Sequence, residues 1–334
     1  MPTPAMATES QTVRPLLDHL ARGQSLTTEH SWQQWHIRPV PSGNNRLLRA
    51  SCPDADWVVK FAIRDDRDRA RREYNALTLL EHLAPRVAPR PVFCDPDSYL
   101  LPVVVQSWVE GVALWSPPPS DAAWRQILET YHGLHAIQPA DVARLGLRAG
   151  PLLGPWAPDE QVAAIVAYAR QLPPAGQSAR LADLLDRLQR ARFPRLPHSL
   201  CWAHGDPNVR NVILAEQGAV LVDWEYSGLS DPALEMAKLM SHALVSAAGE
   251  DRLQWLAEQY AVLSREADML SRIRLHHALS LASWTVRLLF GYHVLLQQPS
   301  RRLVGHGPEA EISTVENIDR YFERAFRALQ EYRV

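Results

Sequence analysis

The sequence predicts an α+β chain in two unequal parts: a strand-rich N-terminal part crossed by one helix, and a larger, mostly helical remainder. Short runs rich in β-branched and aromatic residues cluster between Trp35 and Ile63 and again in LLPVVVQSWVEG, which ends at Gly111. One helical segment lies between them, and after about Asp121 helical periodicity dominates, broken by a single strand pair. At roughly 150 residues per domain, 334 residues make about two domains or one bilobed unit, and the expected division is 1–107 and 108–334.

Residues 1 to about 10 are rich in Pro, Thr and Ser and are expected to fray, with an amphipathic helix following from Thr12 to Ala21. Ile37 to Val40 reads as a strand, PSGNN as a turn, and Arg46 to Ala50 as the next strand. WVVKFAI is a further strand, whose alternation puts Trp57, Val59 and Phe61 on one face and Val58, Lys60 and Ala62 on the other. RDDRDRARREYNALTLLEHLAP reads as a helix closed by Pro85, its alternating charges facing solvent. Glu73 shares a face with Ala76, Leu77 and Leu80, so its carboxylate points inward and needs a partner. Pro89 and Pro91 mark a loop, and SPPPS (Ser116 to Ser120) reads as a linker.

Composition excludes several classes. With 35 basic against 37 acidic residues the net charge of −2 draws the chain to neither nucleic acid nor anionic membrane. Three cysteines without a CxxC pair point to a reducing compartment and no disulfide framework. The histidines form no zinc motif. The opening MPTPAMATESQ lacks the features of a signal peptide. The apolar stretch Leu275 to Leu296 is interrupted by His276, His277, Ser280, Ser283, Arg287 and His293, which suits a buried helix better than a membrane span. A soluble, cytoplasmic protein is expected. The 35 cations comprise 33 Arg and only two Lys, Lys60 and Lys238; a retained lysine offers a compact point charge where guanidinium is a wide fork. Lys238 reads as a charge on a helix surface.

The strand pair within the helical part lies in CWAHGDPNVRNVILAEQGAVLVDWEYSG. Val212 to Leu214 and Ala219 to Val222 flank a polar turn with Gly218, a hairpin that brings Asn211 and Asp223 together at its open end. A carboxylate and an amide oxygen are hard ligands that suit Mg²⁺. Asp206, five residues before Asn211, can orient a hydroxyl and accept its proton. Lys60 for nucleotide phosphates and Glu73 to hold it complete the roles of phosphoryl transfer. His204 reads as a brace for the loop backbone.

These residues resemble those of the aminoglycoside phosphotransferase and choline kinase group of small-molecule kinases, relatives of protein kinases. HGDPNVRN (His204 to Asn211) is similar to the group's H-G/N-D-x-x-x-x-N catalytic loop, and LVDWEYSGLSDPALEMA (Leu221 to Ala237) to its metal-binding segment. The wording DWEYSG is closest to the choline, ethanolamine and thiamine kinase branch. Lys60, Glu73, SWVEG (Ser107 to Gly111) and GLHAI (Gly133 to Ile137) follow in the expected order, so the resemblance spans about residues 35 to 240. It implies a protein-kinase-like bilobal fold with ATP between an antiparallel-sheet lobe and a helical lobe. It assigns Asp206 as catalytic base, Asn211 and Asp223 as Mg²⁺ ligands, and Lys60, held by Glu73, as the phosphate contact. Backbone groups of Ser107, Trp108 and Val109 would meet the adenine, and the loop with Gly43 and Asn45 would cover the phosphates. Two positions depart from the pattern: Gly43 stands alone where paired glycines are usual, and Glu235 replaces an Asp.

The expected activity is ATP- and Mg²⁺-dependent transfer of the γ-phosphate to a hydroxyl of a small molecule, an amino alcohol such as choline or a related cationic metabolite. An aminoglycoside-like antibiotic is the next acceptor class. Glu225 and Asp231 are candidates to attract a cationic acceptor, with helix capping and a surface role as the equal alternatives. Trp284, with Tyr292, could wall a quaternary ammonium, although core packing explains both. Two other classes compete. A silent pseudokinase would bind nucleotide without transfer. A non-haem iron oxygenase would use His204 and Asp206 with a distant His242 or His276, but it leaves Lys60, Glu73, Asn211 and Asp223 without a role.

Overall fold

The computed structural model describes residues 4–22, 27–41, 45–146, 157–194, 196, 200–295 and 312–332. After helix α1 (Pro4–Arg22) come strands β1 (His30–Trp32), β2 (Trp35–Val40), β3 (Arg46–Cys52) and β4 (Ala55–Phe61), helix α2 (Arg69–Leu83), then β5 (Pro91–Asp95) and β6 (Val103–Ser107). The six strands form one antiparallel sheet in the order β1-β2-β3-β4-β6-β5. Lys60 stands on β4, paired with Leu47 on one side and Val104 on the other, so the middle of the sheet fixes its height.

The alternation along β4 works as the sequence predicts. Trp57, Val59 and Phe61 bury against Val13, Leu16, Leu17 and Leu20 of α1, while Ala62 joins Ala70, Ala76 and Leu77 of α2 on the opposite side. Helix α1 begins at Pro4, ahead of the expected Thr12, so most of the stretch expected to fray is helical. Helix α2 starts only at Arg69, because Asp68 adopts a left-handed conformation (φ 48°) that ends the polar run before it.

Strand β6 stops at Ser107, not Gly111: the Trp108 N–H turns to the carbonyl of Asp56, and the chain leaves the sheet. The short β7 (Val112–Ala113) then pairs with a strand of the second part. Gly111 makes that crossing possible, because a Cβ there would lie 2.5 Å from the Leu214 carbonyl oxygen.

The remainder is mostly helical. It runs α3 (Asp121–His135), α4 (Pro139–Arg144), α5 (Pro158–Ala169), α6 (Ala179–Arg190), β8 (Cys201–Ala203), β9 (Val212–Ala215), β10 (Gly218–Leu221) and β11 (Gly228–Ser230). Helices α7 (Pro232–Ser241), α8 (Ala243–Ser246), α9 (Glu250–Ser264), α10 (Met269–Phe290) and α11 (Val315–Ala328) follow. β9 and β10 form the predicted hairpin, β7 adds to its edge, and β8 pairs with β11. One core joins α2, α3, α7 and α9 to the hairpin. A second gathers α5, α6, α10 and α11, with Leu275 to Leu289 inside it, so the apolar stretch is a buried helix. Among the described residues no helix is long and apolar enough to cross a membrane.

Candidate active site

The open end of the hairpin is closed by the Val222 N–H donating to the Asn211 carbonyl at 2.9 Å, so the two ligand candidates become neighbours as the hairpin forms. Asn211 turns its amide nitrogen to Asp206, donating to Oδ2 and to the backbone carbonyl at 3.1 Å each. Asp223 sits in the left-handed region (φ 69°), an uncommon conformation costing about 1–3 kcal/mol. From there its carboxylate meets the Lys60 ammonium, crossing from the hairpin to the sheet. Lys60 also pairs with Glu73 at 2.6 Å and lies 3.5 Å from Glu225. Lys60 thus meets Asp223, Asn211 meets Asp206, and the backbone bond from Val222 to Asn211 joins the two pairs into one line, with Glu73 behind the lysine.

Three carboxylates around one buried ammonium set the electrostatics. Burial works against the charge on Lys60, but Asp223, Glu73 and Glu225 outweigh it and raise its pKa above the ordinary lysine value. Burial pushes Glu73 up to about 7, with Asp223 and Glu225 adding to the rise and Lys60 opposing it. For Asp223 burial is overcome by the Lys60 ammonium and its hydrogen bond, and the pKa falls below the usual carboxylate range. Asp206 goes the other way: burial and the charge of Asp223 raise its pKa against His204, Arg287 and the Asn211 bond. A carboxyl above its usual range and another held ionised give the separation that acid–base chemistry uses.

A carboxylate set for the loop comes from Glu235. Its Oε2 accepts from the His204 N–H at 3.0 Å and from His135 Nε2 at 2.7 Å, and its Oε1 from the Gly205 N–H at 2.6 Å. Gly205, at φ 87°, turns the chain so that two successive N–H groups face one carboxylate. Burial would raise the pKa of Glu235, but the His135 contact, the charge of His204 and the Gly205 N–H hold it below the ordinary value. His204 braces the loop as expected: Nε2–H donates to the Val222 carbonyl at 2.9 Å and Nδ1 accepts from the Asp206 N–H at 3.3 Å. Both ring nitrogens face backbone, which leaves the iron reading without its first ligand. Exchanging Glu235 for Ala should cost about 1–3 kcal/mol for each donor left unsatisfied. It should also lower kcat while sparing nucleotide affinity, read from thermal melts and nucleotide titration; unchanged kcat would remove the positioning role.

The remaining predicted residues divide. Asn45 donates to Glu225 Oε2 at 3.3 Å and accepts from the Ile63 N–H at 3.3 Å, while Gly43 lies outside the described residues. In the hinge the Ser107 and Trp108 N–H groups go to the carbonyls of Arg90 and Asp56, and among the described residues the Val109 N–H has no backbone acceptor. Glu225 and Asp231 are not open acids. Glu225 is buried against Arg69 and Lys60, and Asp231 caps α7 and meets Arg272 at 3.2 Å and His276 at 3.4 Å. Trp284 is a core residue between His242 and Tyr321.

Two expectations are corrected. The charged run before and into α2 is not simply solvated: Arg67 donates to the Tyr226 hydroxyl, Arg69 to Glu225, and Arg72 to the Ser227 carbonyl at 3.0 Å. It ties the sheet part to residues just past Asp223, partners some 155 positions away that local periodicity cannot see. Lys238 is not a surface charge either, but half-buried, with Nζ donating to the Gly205 carbonyl at 3.4 Å.

The group fits a divalent cation on the chemistry of its donors. With the Asn211 amide nitrogen committed to Asp206, its oxygen and an Asp223 oxygen are the hard donors that the hairpin end would offer a cation. Glu73, Asp223 and Glu225 also offer oxygens within 4.8 Å of one another, but Lys60 already stands among those three.

Residues 36–275 match the phosphotransferase enzyme family. The chain is 28% identical over 263 residues to the thiamine kinase of Salmonella dublin, covering 76% of this chain and 82% of that one. In structure it is similar to a choline kinase from Streptococcus pneumoniae (TM-score 0.59, 18% identity, 96% of this chain and 100% of that one). It is also similar to a variant of aminoglycoside 2'-phosphotransferase-IIIa in its GDP complex (TM-score 0.64, 17% identity, 96% of this chain and 99% of that one). Those likenesses establish the protein-kinase-like fold.

Proposed function

The chain belongs to the phosphotransferase enzyme family and is a small-molecule kinase, and from that premise we propose that it moves the γ-phosphate of Mg²⁺-bound ATP to a hydroxyl presented to Asp206. The observation that carries the reading is the line from the buried Lys60–Glu73 pair through Asp223 and Asn211 to Asp206. Lys60 holds the nucleotide phosphates, Glu73 keeps its ammonium on the sheet side, and Val109 meets the base. Asn211 and Asp223 hold the metal, which when bound neutralises charge on the phosphates. Asp206 orients the acceptor hydroxyl and takes its proton, and burial of the site strengthens each of these interactions.

Relatives named for thiamine and choline support an amino alcohol as acceptor, as does the DWEYSG wording; aminoglycosides are the next class. The internal pairing of Glu225 and Asp231 does not support that choice. The test is a transfer screen with labelled ATP and GTP against choline, ethanolamine, thiamine, homoserine, sugars and aminoglycosides, with and without chelator. Transfer that disappears on Mg²⁺ removal is expected. Nucleotide binding without transfer to any alcohol would mark a silent module, and no binding at all would reject the reading.

A further inference from the structure

We propose that the acceptor carries an anionic group, a carboxylate or a phosphate, and that Lys238 receives this group beside Asp206. The proposal rests on the kinase reading and, on the charge at Lys238, sets an anion-bearing acceptor against the amino alcohol that the relatives' names support. Only two of the 35 cations in the chain are lysines, and the first of them, Lys60, sits at the nucleotide side of the site. The second is on α7, three residues past the loop brace Glu235, so the helix presents both toward the catalytic loop.

Lys238 makes no ion pair among the described residues, although Glu235 and Asp206 act on its charge from farther off. Its hydrogen bond to the Gly205 carbonyl is long, 3.4 Å, and no described carboxylate pairs with it. Glu235 is the nearest acid on its own helix, and that carboxylate is already engaged by His135 and the N–H groups of His204 and Gly205. Burial accordingly lowers the pKa of Lys238, against the pull of Glu235 and Asp206 and with the help of Arg287. A half-buried ammonium with one long hydrogen bond and no ion pair among the described residues has donors to offer an anion.

Position separates this cation from the nucleotide side. The Lys238 Nζ reaches the carbonyl of Gly205, the residue before Asp206, whereas Lys60 meets Asp223. Arg287 comes from α10, where its guanidinium lies 4.7 Å over the Trp284 ring, and its charge reaches Asp206, Tyr226 and Lys238. The acids that might have welcomed a cationic acceptor, Glu225 and Asp231, face Arg69 and Arg272 instead. A cationic alcohol approaching Asp206 from this side would meet the like charge of Lys238. An anionic one would be held by it, with its hydroxyl left to the base.

The test uses a matched set of alcohols at constant ionic strength: glycerol, glycerate, glycerol 3-phosphate and 3-amino-1,2-propanediol, with choline, thiamine and homoserine alongside. The wild-type enzyme is expected to favour anion-bearing members, and the glycerate and glycerol 3-phosphate arms tell carboxylate from phosphate. Lys238→Met should raise the acceptor KM by about ten- to a hundredfold, the scale of a hydrogen bond to a charged group, with Mg·ATP affinity unchanged. Lys238→Glu should invert the order of charge preference. Preferred transfer to neutral or cationic members, or no transfer to any anionic one by a protein that binds Mg·ATP, overturns the proposal and leaves the nucleotide site standing. A uniform fall in kcat for all acceptors in Lys238→Met overturns it too, since that assigns the ammonium to the transferred phosphate. Failure to bind Mg·ATP removes the kinase reading with it. Should the variants not fold, the wild-type charge order alone decides.

Discussion

Exchanging Asp206 for Asn is expected to lower kcat by about 10²- to 10⁴-fold, the usual contribution of a positioned general base, with little change in Mg·ATP affinity. The loss should come without a loss of stability. Asp206 has a pKa raised by burial and by Asp223, so its ionised form disfavours the folded state; a neutral isostere removes that cost, and the melting temperature should hold or rise. The sign of the pH dependence follows from the same shift. The base works ionised, so kcat/KM should rise with pH through an apparent pKa above the ordinary carboxylate range, and activity is lost as pH falls through it. The residual activity of Asp206→Asn should lack this limb. Turnover that survives the exchange, or an acid limb that persists in it, would move the base elsewhere.

How much of this could be read from the chain depends on how far apart the partners lie in sequence. The hairpin needs only nearby residues: Val212 to Leu214, a turn with Gly218, and Ala219 to Val222 specify that Asn211 and Asp223 meet, although β10 closes at Leu221. The inward carboxylate of Glu73 was visible because its own helix shows an apolar face there. The roles of Arg67, Arg69 and Arg72 were not visible, since a charged helix face looks the same whether it meets water or Glu225 across the cleft. Glu225 and Asp231 looked like open acids for the same reason. Lys238 was readable in part. Eight of the ten residues of α7 besides Lys238 and one more are apolar or small in a helix that is buried almost throughout, so a surface role had little surface to occupy. What no periodicity could supply was the identity of the group that Lys238 faces, a carbonyl 33 positions earlier.

Removing the ammonium at Lys60 provides the sharpest check on how the two parts meet. Lys60→Met should abolish measurable Mg·ATP affinity and destabilise the fold by about 3–5 kcal/mol at neutral pH, the cost of breaking a buried ion pair and leaving its acids behind. The size of that loss should depend on pH. In the wild type Glu73 already titrates near 7, with the ammonium 2.6 Å away lowering it. Without the ammonium Glu73 and Asp223 lose their largest favourable charge and their folded-state pKa values move up, Glu73 further above its unfolded value and Asp223 upward from below its own. An acid whose folded pKa is raised takes up a proton on folding, so the variant should lose stability as pH rises. Its deficit relative to wild type should therefore widen from pH 6 to pH 8, about 1.4 kcal/mol at most per unit for each proton taken up. Lys60→Arg, despite its charge, should recover stability better than activity, because a wide guanidinium does not occupy the point between three carboxylates that a compact ammonium does. A deficit that stays flat across this range would mean that Glu73, Asp223 and Glu225 do not share one cation, and the line from the sheet to the catalytic loop would be broken at its first link.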